Sequence, residues 1–471
     1  MFQFSDKAKR FSWILIGIGL IALVFNFVSF GGTHGEEATH ATEAHADHGA
    51  ATDAHATEGA HGATAAGHDV HSAQTDPGAT AAHAEPDHGA HAEAGHEDGG
   101  HHATLAHNKP WSRLLVATFF FVAISLGALF FLAIQYAAQA GWSVVVLRIM
   151  EAVASFLPVP LAVMLLLIVL GVVNVHHIWH WMTPGISDPA SPHYDAIIAG
   201  KTPYLNAGFF IGRALIYAIG WILAARWLRS ASLRADAGSA EDGTRIWKRA
   251  RQVSAVFLVF FAVTSSTMAW DWIMSIDTHW FSTLFGWYTF AGMFVSAVTV
   301  ITMIAVYLKM NGYLPELNQN HLHDLGKFMF AFSIFWTYLW FSQYMLIWYA
   351  NIPEEVTYYM VRFREYKAPM LTFLVLNFLA PLLVLMSRDS KRNLYFVMVA
   401  GSIILLGHFL DHFVMIMPGS VGTEWSFGLI DLGLVALYAG LFIQVVFRSL
   451  TKAALVPAHH PMLTESKLHH I

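Results

Sequence analysis

Cysteine is absent from this 471-residue sequence. Disulfides, iron–sulfur ligation by this chain and thiol catalysis are therefore excluded, although the absence says nothing about compartment. Charge is scarce as well: Asp, Glu, Lys and Arg make up 12% of the residues, against 56% that are hydrophobic. Length alone would suggest two or three soluble domains, and this hydropathy removes that reading. The composition is that of an all-α, polytopic integral membrane protein. A basic surplus is missing too. The net charge of −6 comes largely from one loop and implies no nucleic-acid partner. No A-x-A cleavage site directly follows the first apolar run, residues 11–30. That run is long for a signal-peptide core and reads as a retained helix.

What is present is a series of apolar runs. Ten helices are expected, over residues 11–30, 112–138, 153–178, 206–228, 253–276, 281–308, 327–350, 369–387, 394–417 and 427–447. Pro158 and Pro160 predict a kink or late start in the third, and Pro381 a kink in the eighth. Four segments follow: 1–30, a basic start and the first helix; 31–110, a loop; 111–450, a nine-helix membrane domain; and 451–471, a tail. The loop is built from Ala, His, Gly, Thr, Glu and Asp, with fifteen histidines and one lysine. Such a composition buries no core and reads as a solvated spacer. Its histidines have no fixed metal-ligand spacing.

Placing the N-terminus inside puts nineteen lysines and arginines in inward-facing loops and six in outward-facing ones. Both termini are then expected in the cytoplasm, with residues 31–110 outside. With this orientation, most of the costly polar side chains fall in the outer half of the membrane. They include Asn174-Val-His-His-Ile-Trp-His180, Arg213, Asp271, Gln343, His408, Asp411, His412 and Asp431. The inner half holds mainly hydroxyls, among them Thr302, Ser333, Thr337 and Tyr338. Asn377 lies at mid-depth, and Glu151 near the inner start of the third helix.

His408, Asp411 and His412 share one helix face at spacings of three and four. An imidazole beside a carboxylate can pass protons near neutral pH, and quinol oxidation releases two. The competing reading is a structural network that ties helices together. The candidate proton path comprises Asp271, His408, Asp411, His412, Arg213, Glu151 and Tyr338. The four outer acids and histidines are expected to converge and continue inward through hydroxyls. Quinone contacts are assigned to His177, His180 and Asp271. Arg213 has three open roles: an ion pair with Asp271, a bond to a quinone oxygen, or snorkelling to the interface. Glu151 with Arg148 reads as an interfacial pair, at the depth an inner proton entrance would need. Bis-histidine haem b, between His176, His177 or His180 and His408 or His412, is an alternative. A secondary transporter is another, although no matched pair of broken helices is evident.

The run Trp270-Asp-Trp-Ile-Met-Ser-Ile-Asp-Thr-His-Trp-Phe-Ser-Thr-Leu-Phe-Gly-Trp-Tyr288 resembles the signature of the large membrane subunits of alternative complex III. These belong to the NrfD/PsrC-like family of quinone-interacting membrane proteins. The helix count, the opening Phe4-Ser-Asp-Lys-Ala-Lys-Arg-Phe11 and the Ala/His/Gly-rich loop are similar as well. The resemblance implies two inverted four-helix bundles, helices two to five and six to nine, flanked by helices one and ten. It implies a bacterial cytoplasmic-membrane complex that oxidises quinol and reduces a cytochrome c or an attached oxidase. Its implied partners are a paralogous membrane subunit, an extracytoplasmic iron–sulfur subunit, and multihaem and monohaem cytochromes c. In the family, quinol oxidation is assigned to the paralogue. The role expected here is a proton-conducting half-channel with a second quinone site. No tightly bound cofactor is expected on this chain, and quinone or menaquinone is the mobile ligand. A structural anchor for the extracytoplasmic subunits is the competing role.

Overall fold

The computed structural model describes residues 2–31 and 98–470, and among these every regular element is a helix. The elements that position the site are α1 (Asp6–Gly31), α2 (Asp98–Ala137), α3 (Leu147–Ala154), α4 (Pro158–Val172), α5 (Ala207–Ala237), α6 (Ala240–Trp272) and α7 (Phe285–Met310). They continue with α8 (Gln319–Ala350), α9 (Pro353–Arg364), α10 (Lys367–Leu374), α11 (Ala380–Leu385), α12 (Leu394–Val421), α13 (Leu429–Thr451) and α14 (Leu463–Lys467). Among the described residues, nine helical spans are long and apolar enough to cross a membrane. The chain is a polytopic helical membrane protein.

The expected seventh span, 327–350, lies within the 32-residue α8 but is not one of these nine. It carries Trp336, Tyr338, Trp340, Tyr344, Trp348 and Tyr349. Their N–H and O–H groups lower hydropathy without shortening the helix. The proposed spacer, residues 31–110, lies mostly outside the described residues. Its end differs from expectation, because α2 is already helical at Asp98 and runs through Pro110.

Two helices form the axis. The apolar windows of α2 and α7 are buried over 89% of their length, against 22% for α1. A helix that is apolar all round has no face to give to water, so it goes to the centre. The two approach closely at Gly127, where a Cβ would stand 2.6 Å from the Met293 carbonyl oxygen. Beside that contact, Phe130 of α2 stacks on Phe261 of α6 and meets Phe290 and Phe294 of α7 edge-on.

The prolines act as expected. Residues 155–157 separate α3 from α4, and Pro158 opens α4, where its missing N–H costs nothing. Between α10 and α11 the chain widens into a π-turn, Val375–Leu379, just before Pro381. Proline cannot donate to the carbonyl four residues back, and such turns absorb the mismatch. The third expected helix is shorter than foreseen. Asn174 adopts φ +58°, a left-handed conformation that ends a helix, so residues 174–178 form an irregular turn. His176 and His177 therefore leave the helix rather than line it.

Candidate functional site

Asp271 lies in the last turn of α6. The negative end of the helix dipole makes that place unfavourable for a carboxylate. Arg213 of α5 compensates with two bonds, Nε to Oδ2 at 2.8 Å and Nη2 to Oδ1 at 2.9 Å. The Tyr217 hydroxyl donates to Oδ2 at 2.9 Å. The guanidinium lies over the Tyr204 and Phe209 rings, with its carbon 3.9 and 4.1 Å from their centroids. The open carbonyls at the helix end are capped as well: the Ser275 hydroxyl donates to Asp271 O, and Trp179 Nε1 to Trp272 O at 3.2 Å. Of the three roles open to Arg213, the ion pair is the one adopted. The site is buried, charge-balanced and closed.

Asp411 has a different environment. It lies in mid-α12, 1% exposed, and its donors are neutral. The Tyr288 hydroxyl of α7 donates to Oδ1, and Trp336 Nε1 of α8 to Oδ2 at 3.1 Å. His408, one turn away and fully buried, has Nδ1 at 3.7 Å from Oδ2, too long for a hydrogen bond. Neither of its ring nitrogens has a protein partner. His412 donates from Nδ1 to His408 O at 2.5 Å and packs against Phe119 and Phe120.

Next to His408, Gly407 makes room for Asn377 of the π-turn. A Cβ on Gly407 would stand 2.1 Å from Asn377 Oδ1. Asn377 is fully buried, and neither polar atom of its amide has a partner. The hydroxyls of Ser296, one turn after Gly292 on α7, and of Ser333, three residues before Trp336 on α8, are also buried without partners. Buried polar groups of this kind are exceptional, since nearly all such groups in folded proteins have a partner.

Asp411 also lines a cleft together with Tyr288, Gln343, Tyr359 and Arg362. Arg362 is 3% exposed. It donates Nε to Val414 O at 3.2 Å and Nη2 to Met415 O at 3.2 Å. Val414 is four residues before Pro418, whose missing N–H leaves that carbonyl open. Arg362 fills the gap, and its Nη2 also reaches Asp277 Oδ2 at 3.1 Å. Its guanidinium carbon lies 3.3 Å from the Tyr358 ring centroid, and Tyr358 stacks on Trp280 at 3.7 Å.

The expected convergence is thus split. His408, Asp411 and His412 come together. Among the described residues, no hydrogen bond or ion pair joins them to Asp271, which is held with Arg213. Tyr338 does not belong with either group: it is 62% exposed on the outer face of α8, because helical spacing turns it away from Trp336 and Ser333. Glu151 pairs with Arg148 at 3.1 Å, as expected, and with Arg229, and all three lie at the opposite end of the chain's helices from the Asp271 turn. The quinone set is not assembled. Asp271 is buried with both oxygens engaged, His180 is exposed, and His177 is half-buried with its N–H on Asn108 Oδ1 at 2.8 Å. Of the candidate haem ligands, the His176 ring packs on Trp111 and Trp179 and donates to Leu167 O at 3.0 Å.

Arg362 was counted in the sequence only as an outer-loop charge. Pro418 was the available signal, since it leaves a carbonyl that needs a donor. Nothing in the sequence marked Tyr288, Trp336 or Tyr217 as ligands of the acids.

The fold and site define a class: a multi-helix membrane protein in which, among the described residues, the buried carboxylates Asp271 and Asp411 are held by separate sets of donors. Compared with known proteins, the chain matches no protein-family model and no curated protein.

Proposed function

We propose that the chain is a membrane subunit of a quinol-oxidising complex of the alternative complex III type, and that α7, α8 and α10–α12 carry a proton half-channel centred on Asp411 and His408. One observation carries this reading. Asp411 is buried with neutral donors only, beside an imidazole whose two nitrogens are unpartnered. A carboxylate without a cation beside it takes up a proton more readily than one fixed in an ion pair. The cleft at Arg362 and Gln343 is the outer mouth. Asn377 and Ser333 extend the polar line inward, with water between them. In this reading α8 is the tenth span, and α2–α6 and α7–α12 are the two inverted bundles. Both termini face the cytoplasm of a bacterial inner membrane. The partners are a paralogous membrane subunit, an extracytoplasmic iron–sulfur subunit and cytochromes c. Quinol oxidation belongs to the paralogue, as the resemblance implies.

The test is Asp411→Asn in the intact complex, reconstituted in vesicles. Proton translocation per electron should be lost, while electron transfer with uncoupler and subunit composition are retained. Full translocation in this variant would leave a structural anchor as the better reading, which the closed Arg213–Asp271 pair already favours for the first half of the chain.

A further inference from the structure

The long helices α5 and α6 form an antiparallel hairpin. Gly220 lets them meet, since a Cβ there would stand 2.4 Å from Phe260 Cζ, and Trp221 Nε1 donates to Thr264 Oγ1 at 3.0 Å. Each helix keeps one exposed stripe. On α5 it runs through Ile216, Ile219 and Leu223 and continues at the same helical spacing into Arg226. On α6 it runs through Val263, Val259 and Val256, the last 72% exposed, and continues past Gln252 into Lys248 and Arg249.

Because the helices are antiparallel, the two basic ends coincide. Arg226 is six residues past Gly220, and Arg249 eleven before Phe260. At 1.5 Å per residue this puts them roughly 9 and 16 Å toward the same end. At about 100° per residue, both stripes turn to one side of the pair. Trp227 and Trp247, half-buried at this level, mark it as a membrane border. The C-terminal tail packs at the same end, where Ala458 N donates to Asp236 Oδ1 at 3.0 Å.

A single cation at such a border is ordinary and needs no ligand. Here three exposed cations fall within about two helical turns, and no acid answers them. Among the described residues, Arg226, Lys248 and Arg249 have no ion pair. The acids of the connecting turn are otherwise placed. Asp236 is bound by Arg148, while Asp242 caps α6 with Ser239 and lies 3.7 Å from Arg245. Glu241 stands exposed at the tip, beyond the cations. A surface that is apolar along the helices and cationic at the border complements a lipid with an anionic phosphate head.

We propose that this side of the α5–α6 hairpin binds an anionic phospholipid of the leaflet on the tail's side. The phosphate accepts from Arg226, Lys248 and Arg249, and the acyl chains lie along the two stripes. The site belongs to the first half of the chain and does not involve Asp411.

The test uses the protein purified with its native partners and stripped of bound lipid in mild detergent. Native mass spectrometry compares phosphatidylglycerol with phosphatidylcholine of matched chains. Phosphatidylglycerol should be retained at least about tenfold better. The triple change Arg226→Gln, Lys248→Gln and Arg249→Gln should bring the two lipids within about twofold. A control triple at the same end, Lys7→Gln, Arg10→Gln and Lys452→Gln, should keep the preference. All six side chains are exposed, so neither triple removes a packed group. Equal loss in both triples overturns the site, because surface charge alone would then account for binding. No preference in the unaltered protein also overturns it, as when a partner's helix covers the stripes. Glycerophosphoglycerol, the same head without chains, should compete poorly; competition equal to the lipid's overturns the role of the stripes.

Discussion

Asp271 and Asp411 are both about 1% exposed, and both sit on helices of apolar composition. Their partners set them apart. Asp271 has a two-point bond to Arg213, which fixes its geometry. Asp411 has a phenol and an indole, which stabilise a carboxylate without obliging it to remain one. The same residue type is therefore held by a cation in one half of the chain and by neutral donors in the other. A buried acid marks a place of consequence, and its donors decide of which kind.

The largest expected effect lies in the first half. Arg213→Ala leaves Asp271 buried without its cation, and a broken buried pair costs about 3–5 kcal/mol. Thermal unfolding of the solubilised complex should show this loss, with a matching drop in assembled protein. A double change, Arg213→Met with Asp271→Leu, should recover most of it. If the single change were harmless, the fastener reading of Asp271 would be wrong.

In the second half, function should fail before stability. His408→Phe keeps a buried ring and removes both nitrogens. It should abolish proton translocation per electron while shifting stability by only about 1 kcal/mol. Equal translocation in His408→Phe and in the unaltered protein would erase the contrast between the two acids.

A smaller effect is expected from Trp336→Phe. It deletes one donor to Asp411 and should cost about 1–2 kcal/mol, chiefly from the carboxylate oxygen left underbonded. Translocation should fall in part, because Tyr288 still holds the other oxygen. The smallest is Tyr338→Phe, expected to lie within about 0.5 kcal/mol and to leave translocation unchanged, since that hydroxyl lies on the exposed face of α8. A strong translocation defect there would restore Tyr338 to the path and move the channel to that face.

Much of this was legible in the sequence, for identifiable reasons. The apolar runs gave the helices, because each is long enough to be read alone. The i, i+3, i+4 spacing brought His408, Asp411 and His412 onto one face. Pro158 and Pro381 marked the irregular places. The donors to the acids were not legible. Tyr288 lies 123 residues from Asp411 and Arg213 58 from Asp271, and spacing along a helix carries no information across such gaps. The third helix was expected to run to residue 178, and the left-handed conformation of Asn174, which leaves His176 and His177 outside it, was not foreseen.

The sequence by itself determined that this is a helical membrane chain with a few costly acids on its helices, since hydropathy and helical period are local properties. Tertiary structure alone decided which acid received a cation. Which donors a carboxylate receives depends on the side chains that neighbouring helices bring within about 3 Å, and packing sets that, not order along the chain.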